Sequence, residues 1–323
     1  MFVKMKNLFY LLVGSVLLFS CKKETAVSDE VLNIPMQVSI ERFDQDFAKA
    51  TPENLAQLKQ KYPFLLTPNV PDSTWLSKKN DTLFQQLYTE TQKKFADLTP
   101  LQNNLKLLFQ HIKYYYPTEN PGKVITIISE VDIMNRVIYT DSIAIVSLDT
   151  YLGKDHKFYV DFDEYTLGDF EPNRIFVDLA ENFAMQKTPR PQDRTFLSQM
   201  IYWGKVMYMK DVLLPNESDE LKMNYSKEQM AWMQNNEAQV WKHFVEKKYL
   251  FDNDSKLVAR FIQRAPFSKF YLELDHESPG SVGVYIGWQI VKAYMKNNNV
   301  TLQEMVLKDA KTIFDQSKYK PKK

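Results

Sequence analysis

Three stretches in the middle of the chain, Lys123-Val124-Ile125-Thr126-Ile127-Ile128-Ser129, Arg136-Val137-Ile138-Tyr139-Thr140 and Ser142-Ile143-Ala144-Ile145-Val146-Ser147-Leu148-Asp149, are dense in Val, Ile and Thr and separated by turn-forming residues. β-branched side chains fit the pleated surface of a sheet better than the crowded turns of a helix, so these stretches read as strands of a small sheet. Phe158 to Val160 reads as a further edge strand. On both sides the pattern turns helical. Thr51-Pro52 and Thr99-Pro100 each place a capping residue before a proline, which predicts helices over 52–61 and 100–116, with another over 82–96. From Glu171 onward, helices are predicted over 172–186, 194–209, 227–249, 255–263, 282–297 and 302–316. Ser226 with Gln229 and Thr301 with Glu304 have the spacing of capping boxes that fix two of these starts. Helices, a small mid-chain sheet, then a helical C-terminal half make an α+β, predominantly helical fold rather than a parallel βαβ one.

The chain opens as an export signal. Lys4 and Lys6 supply the positive start, Leu8 to Phe19 an apolar run too short for a comfortable membrane span, and Leu18-Phe19-Ser20-Cys21 the order that a lipoprotein signal peptidase reads. Cleavage before Cys21 leaves a lipid-anchored residue and removes a cysteine nucleophile from the chemistry, since Cys21 is the only cysteine. The expected organisation is a signal peptide over 1–20, a flexible tether over 21–36 and a single domain over 37–323. As a random coil that tether would hold the domain roughly 20 Å from the lipid. Removing Lys4 and Lys6 leaves 39 basic against 40 acidic residues, a net charge of −1. The two signs are interspersed, which excludes the usual footprint of a nucleic-acid surface, and eight glycines leave little room for phosphate loops.

Catalytic motifs are sparse. The histidines, His111, His156, His243 and His276, are all too far apart for metal-ligand spacing. His276-Glu277 begins like H-E-x-x-H, but Ser278-Pro279-Gly280 is a turn that cannot place a second ligand one helical turn on. No nucleophile elbow, Walker loop or dinucleotide fingerprint is present, and no cofactor or metal is expected. Glu237 shares a helix face with Met233, Val240, Trp241 and Phe244, so it reads as a buried carboxylate, paired with an arginine such as Arg260 or Arg264 in the bland reading. Glu181 shares a face with Val177, Ala180 and Ala184, whose small side chains leave space beside it.

Met200 to Tyr208 (MIYWGKVMY), Asn236 to Trp241 (NEAQVW), Ala265-Pro266-Phe267, Ser278-Pro279-Gly280, Gly283 to Val291 (GVYIGWQIV) and Ser317 to Pro321 (SKYKP), in that order, resemble the gliding motility lipoprotein GldB family across essentially the whole chain. That family is similar, more distantly, to predicted zinc peptidases of zincin-like fold. The resemblance implies a degenerate zincin-like domain. It sets Ala180, Glu181 and Ala184 at the positions of H-E-x-x-H, with Trp203 where the relatives carry a third ligand on the next helix. Two alanines in place of imidazoles remove a zinc site rather than weaken it.

The resemblance thus implies a non-catalytic lipoprotein needed for gliding motility and the associated type IX secretion machinery. Its membrane contact is the lipid, its partners are envelope proteins, and its expected location is the outer membrane facing the periplasm. A degenerate cleft would bind protein, with Glu181, Trp203, Lys205, Tyr208 and Glu237 near it. Two rivals differ in class: an active envelope hydrolase with an atypical site, and a surface lipoprotein that binds glycans or peptides through its many aromatic side chains.

Overall fold

The computed structural model describes residues 28–273 and 275–322, so the signal peptide and Cys21 lie outside the described residues. The chain begins with a helical turn, α1 (Asp29–Leu32), a short strand, β1 (Ser39–Glu41), and five helices: α2 (Phe43–Ala48), α3 (Leu55–Lys61), α4 (Asp72–Lys79), α5 (Thr82–Lys94) and α6 (Thr99–Tyr115). Strands β2 (Lys123–Ile127), β3 (Val137–Tyr139) and β4 (Ile143–Ser147) follow. The C-terminal half holds α7 (Ile175–Lys187), α8 (Phe196–Leu213), α9 (Asp219–Met223), α10 (Lys227–Glu246), α11 (Ser255–Phe261), α12 (Val282–Asn297), α13 (Leu302–Leu307) and α14 (Ala310–Ser317).

The fold is α+β and predominantly helical, yet its sheet is mixed. In the order β1-β2-β4-β3, both pairings of β2 are parallel, and only β3 runs antiparallel to β4. A reason is visible in β2. Val124 packs into the main core and Ile125 into a second cluster with Phe43, Phe47, Tyr62 and Phe84 of the N-terminal helices. A strand covered on both faces needs a continuous apolar run rather than an alternating one, and parallel strands are the kind that live under such cover. Strand β1 was not foreseen because three residues carry no periodicity. Residues 157–159 form a 3-10 turn capped by His156 rather than an edge strand.

Helix starts show where local chemistry sufficed. Both capping boxes are formed, at Ser226 and at Thr301. The proline signals were displaced: Asn54 rather than Thr51 precedes α3, and Thr99 lies inside α6 while the Asp97 carboxylate accepts its N–H at 2.8 Å. The helix expected over 302–316 is broken at Lys308, and Asp309 caps α14 by accepting from Thr312 N–H. The inner end of the expected tether carries packed residues. Val31 is buried, and Gln110 Nε2 donates to the carbonyls of Leu32 at 3.0 Å and Ile34 at 2.9 Å, so residues from 28 onward are packed on α6.

Helices α8 and α12 form the spine of the C-terminal half. Gly204 and Gly287 allow their backbones to touch: a Cβ on Gly287 would lie 1.9 Å from the Met200 carbonyl oxygen, and one on Gly204 would lie 2.3 Å from that of Gly287. On another side α8 packs along α7, and the cleft lies between these two helices.

Candidate functional site

Residues spaced i, i+3, i+4 and i+7 share one side of a helix, and on α7 Asp178, Glu181, Asn182 and Met185 form such a stripe. It faces Gln199, Trp203 and Met207, one helical turn apart on α8, across a cleft of about 790 Å³. That is within the roughly 300–1,000 Å³ usual for ligand sites. Strand β3 and the loop before it close one side. Segments after α9 and α11 close the other.

The floor is a chain of ion pairs drawn from distant parts of the sequence. Arg174 donates to Asp178 Oδ1 at 2.7 Å, and Tyr151 Oη donates to Asp178 Oδ2 at 2.9 Å. Asp169 accepts from Arg264 and, at 2.5 Å, from Asn224 Nδ2. Arg136 spans the two, donating to the Asp169 carbonyl at 2.9 Å with guanidinium nitrogens 3.8 Å from both carboxylates. Lys210, 1% exposed, reaches Glu181 Oε2 at 2.6 Å and also donates to the Lys222 carbonyl. Burial pushes the Glu181 carboxyl up, but Lys210, Arg174 and Arg264 outweigh it and hold the pKa below the ordinary glutamate value. For Lys210, burial and Arg174 win over Glu181, and its pKa is lowered.

Of the residues expected near a cleft, Glu181 and Trp203 are brought together in it and the others are not. Lys205 is buried on another side of α8, where its ammonium donates to the carbonyls of Val306 at 2.9 Å and Lys308 at 2.6 Å. Tyr208 packs against the main core. Glu237 is buried as expected, but its partner is not an arginine. Its Oε1 accepts from Tyr319 Oη at 2.9 Å and from Lys322 N–H at 3.1 Å, latching the C-terminal segment.

Ala180 and Ala184 are fully buried and belong to the main core, so histidines there would point away from the cleft. The reason is periodicity: the cleft face of α7 runs through Glu181 and Met185, not through the alanines. Arg136, Asp169, Arg174, Asp178 and Arg264 went unrecognised in the sequence. The i,i+4 pair of Arg174 and Asp178 was a readable signal. Arg264 and Asp169, 95 residues apart, had none.

The histidines stay dispersed: His111 is buried with Nδ1 against the Leu107 carbonyl, and His276 lies in the 3-10 turn 275–277. Among the described residues no group of three His, Cys, Asp or Glu side chains is placed to hold a metal ion.

Fold and site together define a predominantly helical α+β protein built around one deep cleft whose carboxylates are all ion-paired. Family comparison narrows the class. The chain belongs to the gliding motility protein GldB family, a lipoprotein family whose model matches residues 22–321. Membership associates the chain with the cell envelope, and among the described residues no helix is long and apolar enough to cross a membrane. No curated protein and no solved structure matches the chain.

Proposed function

We propose that this gliding motility protein acts without catalysis, as a lipid-anchored component that binds an envelope protein in the cleft between α7 and α8 and serves the type IX secretion machinery from the periplasmic face of the outer membrane. The observation that carries the non-catalytic reading is the occupation of every cleft carboxylate. Asp169, Asp178 and Glu181 each already hold an Arg or Lys. A general base needs a pKa near the working pH, and Glu181 is driven the other way. The cleft lining also lacks imidazole and thiolate, the usual zinc ligands. If the scaffold descends from a zincin-like peptidase, the cleft-facing register of H-E-x-x-H falls on Glu181, Asn182 and Met185.

Met134, 84% exposed at the cleft mouth, offers a crosslinking position that disturbs no packing. A photo-crosslinker there, in cells, captures an envelope protein on this reading. Capture of none, under conditions that recover a known envelope complex, counts against it. Stoichiometric zinc in the purified chain, with peptide cleavage lost in Glu181→Ala, overturns the non-catalytic assignment.

A further inference from the structure

Of the cationic side chains that line the cleft, Arg136, Arg174 and Arg264 pair with its carboxylates and Lys222 pairs with Asp211 at 2.9 Å, which leaves Arg190 uncompensated among the described residues. Arg174 is only 4% exposed, yet its Nε–H has no acceptor among the described residues, although its two terminal nitrogens are engaged. Arg190 has no carboxylate within 4 Å among the described residues. The residue is exposed, and its guanidinium carbon lies 4.8 Å from the centroid of the Tyr202 ring. A cleft-lining cation without a counter-ion favours an incoming anion.

The sheet edge identifies what carries that anion. In the pairing of β3 with β4, Arg136 O accepts from Ser147 N–H and Thr140 N–H donates to Ile143 O, so the main-chain groups of Val137 and Tyr139 point to the outer edge. At Tyr139 both are taken by side-chain amides of α7: Asn182 Oδ1 accepts its N–H at 3.0 Å and Gln186 Nε2 donates to its carbonyl at 2.6 Å. Those amides stand where a neighbouring strand would. One step back, Val137 lines the cleft, and its N–H and carbonyl have no partner among the described residues. An extended polypeptide supplies the matching donor and acceptor, which a free phosphate does not.

We infer that the cleft binds an acidic, extended polypeptide segment that pairs with the β3 edge at Val137 and sets a carboxylate against Arg190 and Arg264. The inference rests on the binding-cleft reading above and narrows its ligand to one chemistry. The test is fluorescence anisotropy of the full-length chain in detergent with labelled twelve-residue peptides of acidic, neutral or basic sequence. Each is made with a free or an amidated C-terminus, and inorganic phosphate is the competitor.

Acidic peptides bind at least tenfold tighter than neutral ones, weaken as salt is raised, and lose about tenfold in Arg190→Gln, the size of one charge-assisted hydrogen bond. Since Arg190 breaks no ion pair, that variant folds as the parent does. N-methylation of alternate peptide amides weakens binding as well. If amidation abolishes binding, the carboxylate is a chain terminus; if not, it is an acidic side chain. Equal binding of neutral peptides, indifference to Arg190→Gln, or full displacement by millimolar phosphate overturns the inference. Crosslinking from Met134 tests occupancy of the cleft separately, so a captured partner with no acidic preference would leave the binding reading standing and this one refuted.

Discussion

Lys205 shows how a residue singled out for function can be a structural one with a measurable signature. The residue is 7% exposed, and burial lowers its pKa to about 8 despite the pull of Asp309. It persists as a donor because it satisfies two carbonyls at the end of α13. An unfolded lysine titrates at about 10.4, so between pH 8 and that value the unfolded chain binds more protons than the folded one, and stability rises with pH. Lys210 and Lys292 are lowered too and act in the same direction. Tyrosines such as Tyr285, raised by burial, oppose the trend only near their unfolded pKa of about 10. The free energy of unfolding in urea should therefore increase from pH 8 to 9.5, with Lys205 contributing on the order of 2 kcal/mol. In Lys205→Met the slope should shrink; an unchanged slope would mean that this ammonium is not desolvated as described.

At the level of elements, the α8–α12 contact places an absolute demand on two glycines. A methyl at Gly287 would have to occupy the Met200 carbonyl, which is backbone and cannot swing aside. Gly287→Ala should thus separate the helices and cost about 3 kcal/mol, at the upper end of overpacking, in a denaturant melt. A loss under 1 kcal/mol would show that the helices repack freely. Such a demand is hidden in a sequence where glycines look like mere absences of flexibility. Legible elements were those specified by their own residues: the capping boxes, the Val/Ile-rich β2 and β4, and the long apolar helices. Elements specified by neighbours were not. Strand β1 exists because β2 offers it an edge, and the carbonyl left free where the chain breaks at Lys308 is taken by Lys205, a hundred residues earlier. The cleft divides the same way: the helix positions of Glu181 and Trp203 were readable, while the arginines that neutralise its carboxylates, Arg136, Arg174 and Arg264, come from three separate segments.

For the whole molecule, the point where the fold begins sets how far it can stand from its anchor. The lipid site proposed at Cys21 is seven residues from Ser28, at most about 25 Å of fully extended chain. The α1–α6 corner, where Tyr114 Oη donates to Glu30 at 2.9 Å, is then the part tied closest to the membrane. The cleft's reach is governed by that short leash rather than by one sixteen residues long. This arrangement separates two truncations that a tether over 21–36 would make equivalent. The form that lacks residues up to 27 keeps every contact made between the described residues and serves as the reference. Removing residues up to 36 exposes the surface that Val31 covers and takes away the Leu32 and Ile34 carbonyls to which the Gln110 amide donates. Loss of the valine's burial is worth roughly 1.5 kcal/mol, and exchange of the two hydrogen bonds for water adds about 0.5–1.5 kcal/mol each. The longer truncation should therefore lower the denaturant midpoint by the equivalent of about 3 kcal/mol. Equal stability of the two forms would place residues 28 to 36 in the tether after all and lengthen the leash accordingly.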